Sequence, residues 1–244
     1  MSYGRVFSRF ALPSTFSCAL LAAVPIVHRC VRLSPAAWPY AVILSAIAAN
    51  LILARSFAAV LLFCAYIWVD LWIRQPKWRV AFLLPAVASC LLAVFFLRPS
   101  SIFDFSEPTN PIRLRLVDWA AAFSEFRSAP FLGIGPGNFG LLVPGHSSVV
   151  TESQYSHGIH MTVLAETGVL GTMIWIALIV CFCGWLIRRP PKYAPSLALL
   201  FVYSLVDIVF ELPSLSLLFF FLLGLSAPAL PAESRSFRVT AGIV

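Results

Sequence analysis

Seven long apolar runs decide what this chain can become. A helix needs about 20 predominantly apolar residues to cross a bilayer, and no single soluble core hides that many such segments. The runs lie near residues 11–28, 36–54, 56–73, 80–97, 168–187, 194–210 and 214–231. With 60% hydrophobic and 11% charged residues, the pattern predicts an all-α polytopic membrane protein of about seven transmembrane helices. The N-terminus starts basic, yet no small-residue cleavage site precedes His28 to Arg32, so the first run reads as an uncleaved span. The six cysteines fall in or beside apolar runs without CxxC or metal-ligand spacing and read as small hydrophobes.

The net charge of +7 does not point to nucleic acid, because the basic residues sit in short clusters between apolar runs. Taken on alternate sides of the bilayer, ten of the 17 Lys and Arg fall on one face, in clusters that include Arg29, Arg74 and Lys192, and seven on the other. The first face is the cytoplasm by the positive-inside rule. The expected organisation is one integrated membrane domain. Four N-terminal spans occupy 1–97, an outer-face loop 98–167, three more spans 168–231, and a cytoplasmic tail 232–244. The second and third runs turn at Ala54-Arg55-Ser56. An arginine at mid-bilayer costs roughly 3 kcal/mol or more, so Arg55 belongs at the membrane edge or in a polar cavity.

Loops longer than about 15 residues are usually functional or disordered, and this outer loop is far longer. After an irregular stretch, Asn110-Pro111 marks a helix start. From Ile112 to Phe126, Leu116, Trp119, Ala120 and Phe123 recur at helical spacing with Arg115, Asp118, Ala122 and Glu125 on other faces. This describes an amphipathic helix along the membrane surface. Next, in Pro130 to Asn138, Gly133, Gly135 and Gly137 permit positive φ, and their amides suit a phosphate, although no dinucleotide or P-loop spacing surrounds them. A second helical run, Ile159 to Thr167, is closed by Gly168. His157, His160, Met161 and Leu164 are placed on one face of it and Glu166 near its end. The HExxH spacing of a zinc site is absent. A histidine that is neutral near pH 7 suits a general base better than a metal ligand.

In order along the chain, Arg115-x3-Trp119, Pro130-Phe-Leu-Gly133-Ile-Gly135-Pro-Gly137-Asn138-Phe139 and His157-x7-Ala165-Glu166-Thr167-Gly168 resemble the O-antigen ligase and O-antigen polymerase family of bacterial envelope glycosyltransferases. Leu53-Ala54-Arg55-Ser56 resembles that family's other arginine turn. The resemblance covers roughly residues 36 to 230. It implies a GT-C-like helical fold in the bacterial inner membrane, with the active loop on the periplasmic face. By the same resemblance the enzyme acts without cofactor, metal or nucleotide sugar. Its donor is an undecaprenyl-diphosphate-linked glycan and its acceptor a lipid A core or glycan hydroxyl. His157 and Arg115 are then catalytic, His157 serving the acceptor hydroxyl and Arg55 and Arg115 holding the diphosphate. Arg113 is an alternative to Arg115, since only one of them can face the site. Gly133, Gly135, Gly137, Asn138, His160 and Glu166 are candidate substrate contacts.

Three features depart from the family pattern. Gly158 stands where the family usually has Asn, His160 stands where an aromatic ring is common, and about seven spans stand where ten or more are usual. Inactive truncation and a minimal form needing a partner chain for the missing spans are therefore both open. A transporter or flippase without covalent chemistry is the competing class, supported by the ionisable Asp70, Asp207 and Glu211 within or beside spans. Asp207 and Glu211 are also expected to pair with Arg55 or Arg115, and Asp70 with Arg74 at i+4.

Overall fold

The computed structural model describes residues 13–54, 56–74, 88, 110–139, 156–188 and 191–226. Among these residues it has seven helices: α1 (Pro13–Leu33), α2 (Trp38–Leu53), α3 (Phe57–Arg74), α4 (Pro111–Ser128), α5 (Ile159–Arg188), α6 (Ala194–Ser204) and α7 (Pro213–Ser226). The fold is all-helical, as the apolar runs predict. Arg55 and, apart from residue 88, the predicted span at 80–97 lie outside the described residues.

Three helices, α1, α3 and α5, are long and apolar enough to cross a membrane, while α2, α6 and α7 are shorter apolar helices. Of the seven predicted runs, three thus coincide with helices of spanning length and three with shorter apolar helices among the described residues. The clearest shortfall is the run at 194–210, whose helix stops at Ser204. Asp207 accepts the Ile208 amide on its own Oδ1 at 2.8 Å, and the Val206 carbonyl accepts from Arg115 at 2.9 Å. Side-chain and long-range bonds thus take groups that a continuing helix would use, and residues 205–212 form turns. These turns are packed inside the protein, since Asp207, Ile208 and Val209 are buried.

Helix α1 runs through the main bundle, packing against α2, α3, α6 and α7. Its core is built from Leu21, Leu51, Leu197, Leu200, Tyr203 and Leu215. The fully buried Tyr203 meets the Ser56 hydroxyl at 2.9 Å and donates to the Ser14 carbonyl at 3.2 Å, which ties the α2–α3 turn and the start of α1 to the end of α6. At the other end, Asp70 pairs with Arg74 at 2.8 Å, as the i+4 spacing predicts, and also with Arg32 at 3.2 Å.

Helices α4 and α5 form a second packing unit around Ala121, Ala122, Phe139 and Ala165. Asn110 caps α4 by accepting the Ile112 and Arg113 amides at 2.9 and 3.0 Å, with Pro111 at the first helical position. The buried face carries Asp118, Ala121 and Ala122, and the apolar stripe of Leu116, Ala120 and Phe123 is exposed. That is the arrangement of a helix whose apolar side is left for lipid.

Helix α5 is interrupted at Gly168, where φ is 62° and ψ −159°, a conformation almost restricted to glycine. The break is clasped by the glycine turn. Ile134 and Gly135 donate to the Ala165 and Glu166 carbonyls, each at 3.0 Å, and Val169 donates back to the Pro130 carbonyl at 2.8 Å. A Cβ on Gly168 would lie 2.6 Å from the Phe131 carbonyl carbon, and one on Gly133 would meet the Glu166 backbone. Gly168→Ala is therefore expected to destabilise the protein by about 3 kcal/mol, combining a disfavoured φ with backbone overlap. Thermal denaturation in detergent should show it, and an unchanged midpoint would mean that the clasp is not rigid.

Candidate functional site

The two packing units meet at the end of the bundle where α6 gives way to the 205–212 turns, and the polar residues gather there. On α4, Arg115 and Asp118 are three residues apart and so lie on adjacent turns of one face. The Arg115 Nε donates to the Val206 carbonyl at 2.9 Å, and its Nη2 lies 3.6 Å from Asp207 Oδ2. Asp207 is 7% exposed at its side chain and Arg115 29%. This is the expected pairing of Arg115 with Asp207. Arg113, the alternative considered beside it, also lies on α4, where its amide joins the Asn110 cap.

Asp118 accepts His157 Nδ1 at 2.9 Å. His157 lies before α5 with φ of 50°, the one non-glycine residue of positive φ among those described. Its expected place on the helical face with His160, Met161 and Leu164 is thus corrected. The left-handed backbone turns the imidazole out of the helical register and onto α4. The hydrogen bond to Asp118 holds the His157 pKa above its ordinary 6.5, overcoming the opposing effect of burial, and the nearby Asp207 adds to the rise. With Nδ1 committed to the carboxylate, Nε2 is the nitrogen left for proton exchange. Asp118 is the residue that sequence reasoning missed. Its signal was the carboxylate three residues after Arg115 on the same helix.

A second set surrounds Glu211. The Thr162 hydroxyl donates to its Oε1 at 3.3 Å and meets the Ser156 hydroxyl at 2.7 Å. Burial pushes the Glu211 carboxyl above its usual range. Oε2 of Glu211, Nδ1 of His160 and Nε1 of Trp119 are all buried without a hydrogen-bond partner, the last two in rings packed edge to face at 5.6 Å. Gly158 sits against this set. A Cβ there would lie 2.9 Å from the His160 ring and 3.1 Å from the Leu205 carbonyl, so an amide side chain at this position needs both to move.

The glycine turn is placed differently from a phosphate cradle. Its amides at Gly133, Ile134 and Gly135 already donate to backbone carbonyls. Asn138 closes the same turn on the Ile134 carbonyl at 2.8 Å, and Glu166 accepts the Phe139 amide at 3.2 Å. Gly137, with φ of 77°, has open space where a Cβ would stand. Among the described residues, no three His, Cys, Asp or Glu side chains come together as a metal set.

Arg115, Asp118, the glycine turn, His157 and Gly168 all fall inside residues 40–176, which match the family model described as O-antigen ligase, over more than half of the chain. The chain belongs to the O-antigen ligase family. No curated protein and no solved structure matches it. Membership gives the chain a role of O-antigen ligase type in envelope glycan biosynthesis, in a bacterial inner-membrane family of transferase-type enzymes.

Proposed function

We propose that the chain transfers or polymerises a glycan carried on undecaprenyl diphosphate, with Arg115 at the diphosphate and His157 as the base for the acceptor hydroxyl. The observation that carries the reading is the pairing of two dyads on one helix face, Arg115 with Asp207 and His157 with Asp118. The acceptor oxygen forms a bond to the anomeric carbon as its proton passes to His157 Nε2. The anomeric C–O bond to phosphate breaks, and the diphosphate leaves with the electron pair. Negative charge grows on that leaving group, where a guanidinium oriented in advance is most effective because it need not reorganise as the bond breaks. Asp118 fixes the imidazole and stabilises the imidazolium that forms.

The positive φ of His157 supports the same role. A β-carbon in left-handed backbone costs about 1–2 kcal/mol, and such outliers gather where geometry serves function. Asp207, an acid that a transport reading would use, is occupied by Arg115, which favours chemistry over translocation. Burial of the Gly133 and Gly135 amides in the clasp assigns those glycines, with Asn138 and Glu166, to shaping the loop rather than touching the donor. The acceptor is a lipid A core sugar or a growing glycan. Lys and Arg side chains at the far end of the bundle, including Arg29, Arg74 and Lys192, support a periplasmic site within a multi-pass membrane domain, its catalytic loop lying between the N- and C-terminal spans.

The test supplies the purified protein with polyprenyl-diphosphate oligosaccharides and candidate acceptors and reads products by mass spectrometry. A lengthened or transferred glycan is expected, and its mass separates ligase from polymerase. A stable protein that yields no product with any acceptor would sink the reading.

The histidine also sets a pH dependence. Because His157 is the base only when neutral, activity should rise with pH through a value above 6.5. The stabilising effect of the charged pair runs the other way: it is complete below 6.5 and fades as pH climbs through the raised folded value. Asp118→Asn removes the main cause of the rise, so its pH–rate profile should move to lower pH. A profile that stays in place would separate Asp118 from the base.

A further inference from the structure

We infer that the opposite end of the bundle holds a second site, for the phosphate head of an acidic membrane lipid. A cavity of about 980 Å³ opens there between the ends of α1 and α3 and the start of α6. This is at the upper end of the roughly 300–1,000 Å³ typical of small-molecule sites. Its charged mouth lies at the start of α6, whose 11 residues span about 16 Å before the 205–212 turns that carry Asp207.

Four cations line the cavity, Arg29 and Arg32 from α1, Arg74 from α3 and Lys192 from the turn before α6, against the single carboxylate Asp70. Asp70 is taken by Arg32 and Arg74. Among the described residues, Arg29 and Lys192 form no ion pair, and Lys192 lies 5.0 Å over the Tyr193 ring. The cavity thus carries four cations against one carboxylate, an excess of positive charge that Asp70 does not balance.

A second observation points independently to a ligand. Ser196 is fully buried, lines the cavity, and its hydroxyl has no hydrogen-bond partner. It lies in the first turn of α6, where the helix dipole favours an anion, and the residue before that helix supplies no side-chain cap. The remaining wall is mostly apolar, with Ile26, Leu33, Leu62, Val69, Ile73 and Val202. A free phosphate would meet the cations and leave this wall uncovered. An amphiphile places its phosphate among Arg29, Lys192 and Ser196 and its chains along the wall. Juxtamembrane cations contribute about 1 kcal/mol each toward anionic lipid, so two of them favour it by more than tenfold.

The experiment measures lipid retained by the full chain in detergent by native mass spectrometry, offering phosphatidylglycerol, phosphatidylcholine, or phosphatidylglycerol with millimolar inorganic phosphate. Phosphatidylglycerol should be retained about tenfold over phosphatidylcholine and persist against phosphate. The Arg29→Gln/Lys192→Gln variant should lose about tenfold of that retention, and Arg29→Lys should keep it. Both changed residues are exposed, and an unshifted melting temperature would verify folding. Equal retention of the two lipids, full displacement by phosphate, or undiminished binding in the folded double variant would each overturn the proposal.

Discussion

Replacing His157 with alanine is expected to lower glycan transfer by roughly a hundred- to ten-thousandfold, the usual contribution of a positioned general base. Protein abundance should change little, since the bond to Asp118 contributes about 1 kcal/mol and the imidazole is 33% exposed. Alanine fits poorly at a φ of 50°, so His157→Asn is the sharper variant. Asparagine is among the residues that adopt left-handed backbone most readily, and its amide can still donate to Asp118, yet it cannot take a proton. Both variants should lose turnover together. If His157→Asn keeps more than half of the wild-type rate, the proton leaves by another route and His157 only supports the loop.

Much of this site is visible in the sequence because its parts are local. Asn110-Pro111 announces the start of α4, Gly168 the break in α5, and the acids at 207 and 211 read as partners for an outer-face arginine. Glu211 also accepts from Thr162, a contact between distant segments that no spacing reveals. The residues misjudged share that cause. Gly133 and Gly135 look free to hold a phosphate until their turn is seen to be clasped by Ala165 and Glu166, some 30 residues onward. His157 fits the helical period of the run after it, and only the pull of Asp118 on another helix shows that it stands outside. The stretch from Phe201 to Phe210 is nearly all apolar, so composition extends α6 beyond Ser204. What stops the helix is the demand of Arg115 for the Val206 carbonyl and Asp207.

That demand gives the second large effect. Arg115→Ala should abolish transfer and also destabilise, because it leaves the Asp207 carboxylate in the protein interior without its cation. Removing one partner of a fully buried pair costs about 3–5 kcal/mol. With Arg115 29% exposed and the closest approach 3.6 Å, about 2 kcal/mol is the appropriate scale. The two losses separate in the double variant Arg115→Ala/Asp207→Asn. Neutralising the stranded carboxylate should restore most of the melting temperature, whereas transfer should stay absent, since the Arg115 guanidinium is still missing from the leaving diphosphate. Arg115→Lys should fold well and act weakly, for an ammonium keeps the charge but not the fork that holds the Val206 carbonyl and Asp207 together. Measuring melting temperature and product mass on all three variants tests the assignment. Activity that returns with stability in the double variant would make Arg115 a brace between α4 and the 205–212 turns rather than a group that meets the donor.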